Sequence, residues 1–91
     1  MANWWMPVAQ LRVMRRIENG GILLRNPTYG FYYWFRSEDP RPTASAKALF
    51  NRGLIAIGNT HPHTLGNQIM RITPTGKNEL KSNSGRKIEG E

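Results

Sequence analysis

The sequence predicts a small α+β domain in the order helix–hairpin–helix–hairpin–helix. Three observations lead there. Apolar residues recur at helical spacing near the start, at Val8, Leu11, Met14 and Ile17. Two pairs of short β-prone runs follow, 22–25 with 31–35 and 54–57 with 68–72, each pair split by turn-forming residues. Glycine and proline punctuate the rest: Asn19-Gly20-Gly21, Gly53 and Thr73-Pro74.

Pro7 suits the first turn of a helix, where its missing N–H costs nothing. Arg12, Arg15 and Arg16 lie off the centre of that helix's apolar stripe. Asn19-Gly20-Gly21 stops it, since glycine accepts the left-handed cap geometry. Residues 22–25 then form a short strand, Asn26-Pro27-Thr28-Tyr29-Gly30 a turn, and Phe31-Tyr32-Tyr33-Trp34-Phe35 the returning strand. Alternation sends Phe31, Tyr33 and Phe35 to one side and Tyr32 and Trp34 to the other. One set fills the core. The other is either covered by Trp4 and Trp5 or exposed as a protein interface, so Trp4, Trp5, Tyr32 and Trp34 are the candidate interface residues.

Residues 36–42 read as an exposed connection. Thr43 is the expected N-cap of a helix over 43–52 that Gly53 ends. Its apolar side is Ala46, Leu49 and Phe50; Ala44, Ala48 and Asn51 face the other way, with Lys47 and Arg52 on the flanks. The strand 54–57, a polar loop over 58–67 and the strand 68–72 make the second hairpin. Thr73 caps the last helix, with Pro74 at its first position. The domain is expected to span residues 1–80, and residues 81–91, without apolar periodicity, to form a disordered tail.

The chain has 91 residues, 13 basic and 6 acidic, for a net charge of +7. Ten of the basic side chains and four of the acidic ones fall within residues 1–80, so the body itself is basic. That balance favours a polyanionic partner. No apolar run reaches the roughly 18 residues of a membrane span, and the N-terminus lacks the pattern of a signal peptide. The absence of cysteine rules out disulfides and thiolate metal sites and fits a reducing cytoplasm.

Leu49-Phe-Asn-Arg-Gly-Leu-Ile, then Met70-Arg-Ile-Thr-Pro-Thr-Gly-Lys-Asn-Glu-Leu, resembles the end of bacterial winged helix-turn-helix domains, MarR-like regulators among them. The resemblance covers residues 8–80 and is specific over 49–80. It implies a winged-helix-like α+β fold in which 43–52 is the recognition helix and 58–67 the tip of the wing. The front half departs from that pattern, placing an additional aromatic β-hairpin between the first helix and the recognition helix. This order is similar to small bacterial and prophage winged-helix proteins such as the YjhX-type toxins.

A helix in the major groove reads bases through Arg, Lys, Asn or Gln. The expected nucleic-acid residues are therefore Ser45, Lys47, Asn51 and Arg52 on the helix, Thr60, His61, His63 and Arg71 on the wing, and Arg12, Arg15 and Arg16 as phosphate contacts. His61 and His63 lack the further ligands that a tetrahedral metal site requires, so no metal or other cofactor is expected. No catalytic triad, Walker loop or HExxH pattern occurs, and no enzyme activity is expected. Three readings remain open: duplex-DNA binding by a small cytoplasmic bacterial or phage regulator, possible as a homodimer; a protein-binding winged helix of the phage inhibitor or toxin kind that blocks a nucleic-acid enzyme; and single-stranded nucleic-acid binding through ring stacking.

Overall fold

A computed structural model describes residues 5–87. Its elements are α1 (Val8–Glu18), β1 (Leu23–Arg25), β2 (Tyr32–Trp34), α2 (Thr43–Asn51), β3 (Ile55–Thr60), β4 (Gln68–Ile72) and α3 (Pro74–Ser82). The order is the expected one. The two hairpins, however, are not separate. β1 pairs antiparallel with β4, which joins them into one four-stranded sheet in the order β2-β1-β4-β3.

The helices cover one face of this sheet. Leu11, Met14, Leu23, Tyr32, Trp34, Leu49, Leu54, Ile55 and Met70 build the core between them. Tyr32 is 2% exposed and Trp34 is 6% exposed, so the Tyr32/Trp34 set fills the core and cannot be the protein interface. On α1 the buried residues are Leu11, Val13 and Met14, whereas Val8 is exposed. The stripe shifts because α1 packs against α2, β4 and α3 together, which widens its buried arc.

The reverse face of the sheet is also apolar. Leu24 is fully buried there, directly across from Tyr33 on one side and Ile69 on the other. The loop after β3 folds back over this face. The His61 ring lies 4.2 Å from that of Phe35, and the Asn67 side-chain amide donates to the Tyr33 hydroxyl.

Local chemistry fixes the helix ends. Gly53 has φ +74°, and the amides of Gly53 and Leu54 donate to the carbonyls of Phe50 and Leu49. That pair of bonds closes α2 in a Schellman motif, which needs a left-handed residue and so favours glycine. Thr73 caps α3: its hydroxyl accepts from the Gly76 N–H at 3.0 Å and donates to the Gly53 carbonyl at 2.6 Å. Thr43, expected as the N-cap of α2, is instead its first helical residue. Its hydroxyl accepts from the Tyr32 N–H at 3.1 Å and donates to the Tyr32 carbonyl at 3.3 Å. The edge of β2 would otherwise leave these backbone groups unpaired, and that need outweighs capping.

The packed chain runs past the expected boundary at residue 80. α3 continues to Ser82, Asn83 is buried, and the Arg86 guanidinium donates to the Met6 carbonyl and lies 3.9 Å from the Trp5 ring centre. A disordered tail beginning at Lys81 is therefore corrected for residues 81–87.

Candidate nucleic-acid interface

α2 lies at the surface, not within the molecule. Burial of Ala46 and Leu49 turns its opposite face outward, so that Ala44, Lys47 and Asn51 are exposed and Arg52 projects at its C-terminal end. Residues 44, 47 and 51 share a face because three- and four-residue spacings align along a helix. No acidic residue occurs on α2.

A cleft runs along each side of this helix. The first, about 270 Å³, lies between α2 and the β1–β2 turn and is lined by Arg25, Tyr29, Gly30, Tyr32, Lys47, Phe50 and Asn51. Arg25 is held in its wall by a 2.9 Å hydrogen bond to the Gln68 side-chain carbonyl, with its guanidinium 5.9 Å from the Phe50 ring centre. The second cleft, about 430 Å³, lies between α2, α1 and the 36–42 connection; Arg12, Arg16, Arg41 and Ser45 are among its lining residues. Arg41 is braced 4.1 Å over the Phe31 ring. Cationic groups therefore stand on both flanks of α2, and the Asp39 carboxylate also lines the second cleft.

The expected site residues divide accordingly. Lys47 and Asn51 come together at the first cleft, Arg52 stands at the adjoining helix end, and Ser45 faces the second cleft with Arg12. The other two α1 arginines have structural duties. Arg15 donates to the carbonyl of Asn83 at 3.1 Å and to that of Arg86, which fastens the C-terminal segment. Arg16 pairs with Asp39 at 2.7 Å, donates to Ser37 and lies 4.4 Å over the Trp34 ring. These hydrogen bonds from Arg16 and Ser37 hold the Asp39 carboxyl below its ordinary range. Arg15 and Arg16, expected as phosphate contacts, are thus both engaged within the protein, with 40% of the Arg16 side chain still exposed.

The candidates expected on the second hairpin divide too. His61 is only 6% exposed. Its Nδ1 accepts from the His63 N–H at 3.1 Å, and its N–H donates to the Asn67 carbonyl at 2.9 Å. It anchors the folded-back loop and does not face a ligand. Arg71 lies across from Ala56 and against Gly58, on the sheet face away from α2. Thr60 and His63 remain exposed at the far end of the hairpin. Of the interface candidates, Trp5 is exposed beneath the Arg86 guanidinium, and Trp4 lies outside the described residues.

Arg25, Tyr29 and Arg41 line these clefts and were not among the expected contacts. Tyr29 carried a usable signal: an aromatic residue inside a turn of Asn, Pro, Thr and Gly has no strand face on which to pack. Among the described residues, no cluster of three or more His, Cys, Asp or Glu could hold a metal ion, and no helix is long and apolar enough to cross a membrane. Comparison of the chain with protein-family models, with curated proteins and with solved structures finds no match.

Proposed function

We propose that this protein binds duplex DNA through α2, as a small winged-helix regulator of bacterial or phage type acting in the cytoplasm. The observation that carries the reading is an exposed, acid-free helix face flanked by two clefts that bear cations. On this reading Asn51 meets base edges in the major groove, and Lys47, Arg52, Arg41 and Arg12 meet phosphates beside it. One helix of this length reads few base pairs, so a two-fold dimer on a palindromic site accompanies the proposal.

The test is titration with random duplex DNA at low and raised salt. Four cationic contacts (Lys47, Arg52, Arg41 and Arg12) correspond to a slope of log affinity against log salt of roughly −3 to −4. Replacing Lys47, Asn51 and Arg52 together with Ala should abolish binding while the fold persists. Absence of binding at low salt rejects the reading.

A second reading, capture of a protein partner that is itself a nucleic-acid enzyme, draws on Leu65. This residue is fully exposed at the tip of a loop tied down by its own hydrogen bonds. Leu65→Ser would then abolish partner capture and leave DNA affinity intact.

A further inference from the structure

We propose that the cleft between the β1–β2 turn and α2 takes a single unpaired nucleotide at the margin of the bound duplex, its base against Tyr29 and its phosphate on Lys47. This inference rests on the DNA-binding reading above and deepens it by naming what the smaller cleft recognises.

Tyr29 is 80% exposed, and its backbone is held by a hydrogen-bonded turn. The Asn26 side-chain oxygen accepts from the N–H groups of Thr28 at 2.9 Å and Tyr29 at 3.0 Å. The Asn26 N–H donates to the Phe31 carbonyl at 2.9 Å, and the Gly30 N–H to the Asn26 carbonyl at 2.8 Å. A large ring is thus kept in water on a stiff turn, so little ordering remains to be done when a flat partner covers it. Phe50 and the Arg25 guanidinium form the inner wall, and Arg25 is itself immobilised by Gln68.

The chemistry of the lining selects the ligand. A ring supplies a stacking platform that accepts any base. Lys47 supplies a point charge for phosphate, and the Asn51 amide can both donate to and accept from a base edge. Lys47 and Asn51 are four residues apart on α2, so both sit at the mouth of the same cleft. No acidic side chain lines it. A cleft of about 270 Å³ has room for one base, and the occupant that the proposal assigns to it is a nucleotide outside the stack.

The experiment compares a blunt labelled duplex with the same duplex carrying one bulged nucleotide, using the full chain. The bulged probe should bind about tenfold tighter, the size of a single base–aromatic stack. Tyr29→Ala should remove that gain and leave the blunt affinity unchanged, and Tyr29→Phe should retain it. Lys47→Ala should weaken both probes. Equal affinity for the two wild-type probes overturns the inference, as does a bulge preference that survives Tyr29→Ala or an equal loss on both probes. Failure of the blunt duplex to bind at low salt is a different result, since it removes the DNA reading itself. A thermal melt of Tyr29→Ala, unchanged from wild type for so exposed a side chain, excludes unfolding as the cause.

Discussion

A Cβ placed on Gly76 would stand 2.1 Å from the carbonyl oxygen of Leu54. That oxygen cannot retreat easily, because it accepts the Thr73 N–H at 3.1 Å and belongs to the turn that leaves α2. Helix α3 therefore sits directly on the junction between α2 and β3, and only glycine allows the approach. Gly76→Ala would normally gain about 1 kcal/mol of helix propensity. Here it should instead cost roughly 2–3 kcal/mol net, as overpacking against a backbone atom. Urea denaturation measures this; a variant as stable as wild type would show that the approach is not so close.

Thr43 ties α2 to the open edge of β2 through one hydroxyl, with two hydrogen bonds to the Tyr32 backbone. Thr43→Val keeps the shape and removes both bonds. It should lower stability by about 1–3 kcal/mol, the cost of leaving buried backbone groups unsatisfied. Hydrogen exchange should accelerate at the Tyr32 amide before it does in α1. Unchanged protection at Tyr32 would mean that water replaces the hydroxyl at no cost.

His61→Ala separates a folding role from a binding role. Loss of the ring against Phe35 and of the acceptor for the His63 N–H should cost about 1–2 kcal/mol. If α2 carries the proposed DNA contact, affinity for blunt duplex and its salt slope should stay as in wild type. Arg71→Ala should likewise leave the slope alone, since Arg71 lies on the reverse face of the sheet. A slope reduced by about 0.9 in either variant would return the wing to the interface.

The Arg16–Asp39 pair gives a pH signature. The folded-state value for Asp39 lies below the ordinary 3.8, so its contribution is complete above 3.8 and disappears as pH falls through the depressed value. Asp39→Asn removes the contribution at every pH. The stability gap between wild type and Asp39→Asn should be present at about pH 6 and should narrow progressively as the pH falls below the ordinary carboxylate range. Both groups are solvent-accessible, so the gap should be small and should shrink with added salt. A gap that is unaltered by pH would assign the effect to Ser37 and loop geometry instead.

The elements legible in the sequence were those set by neighbouring residues. Gly53 stops α2, and Thr73-Pro74 starts α3, because each cap is completed within a few positions. What could not be read depended on distant partners. Alternation divided the aromatic strand into two sets, but only the packing of α1 and α2 decides that Tyr32 and Trp34 point inward. Truncating Trp34 would therefore cost about 3–5 kcal/mol and destabilise the core, so it cannot serve as an interface probe. The pairing of Leu24 with Ile69 spans about half of the chain and has no local signal. Among the eleven expected contacts, Arg15, Arg16 and His61 were diverted by groups far away in sequence: Asn83, Asp39 and Phe35. Lys47 and Asn51 were legible because helix period alone places them opposite Ala46 and Leu49.

Arg15 and Arg86 together strap residues 83–86 to α1 and to the Met6 backbone. Trimming the protein after Leu80 would strip away the carbonyls that satisfy Arg15 and the guanidinium that shields Trp5. The shortest autonomous version must therefore extend at least through Arg86, and expression variants cut closer than that should be sticky and easily digested.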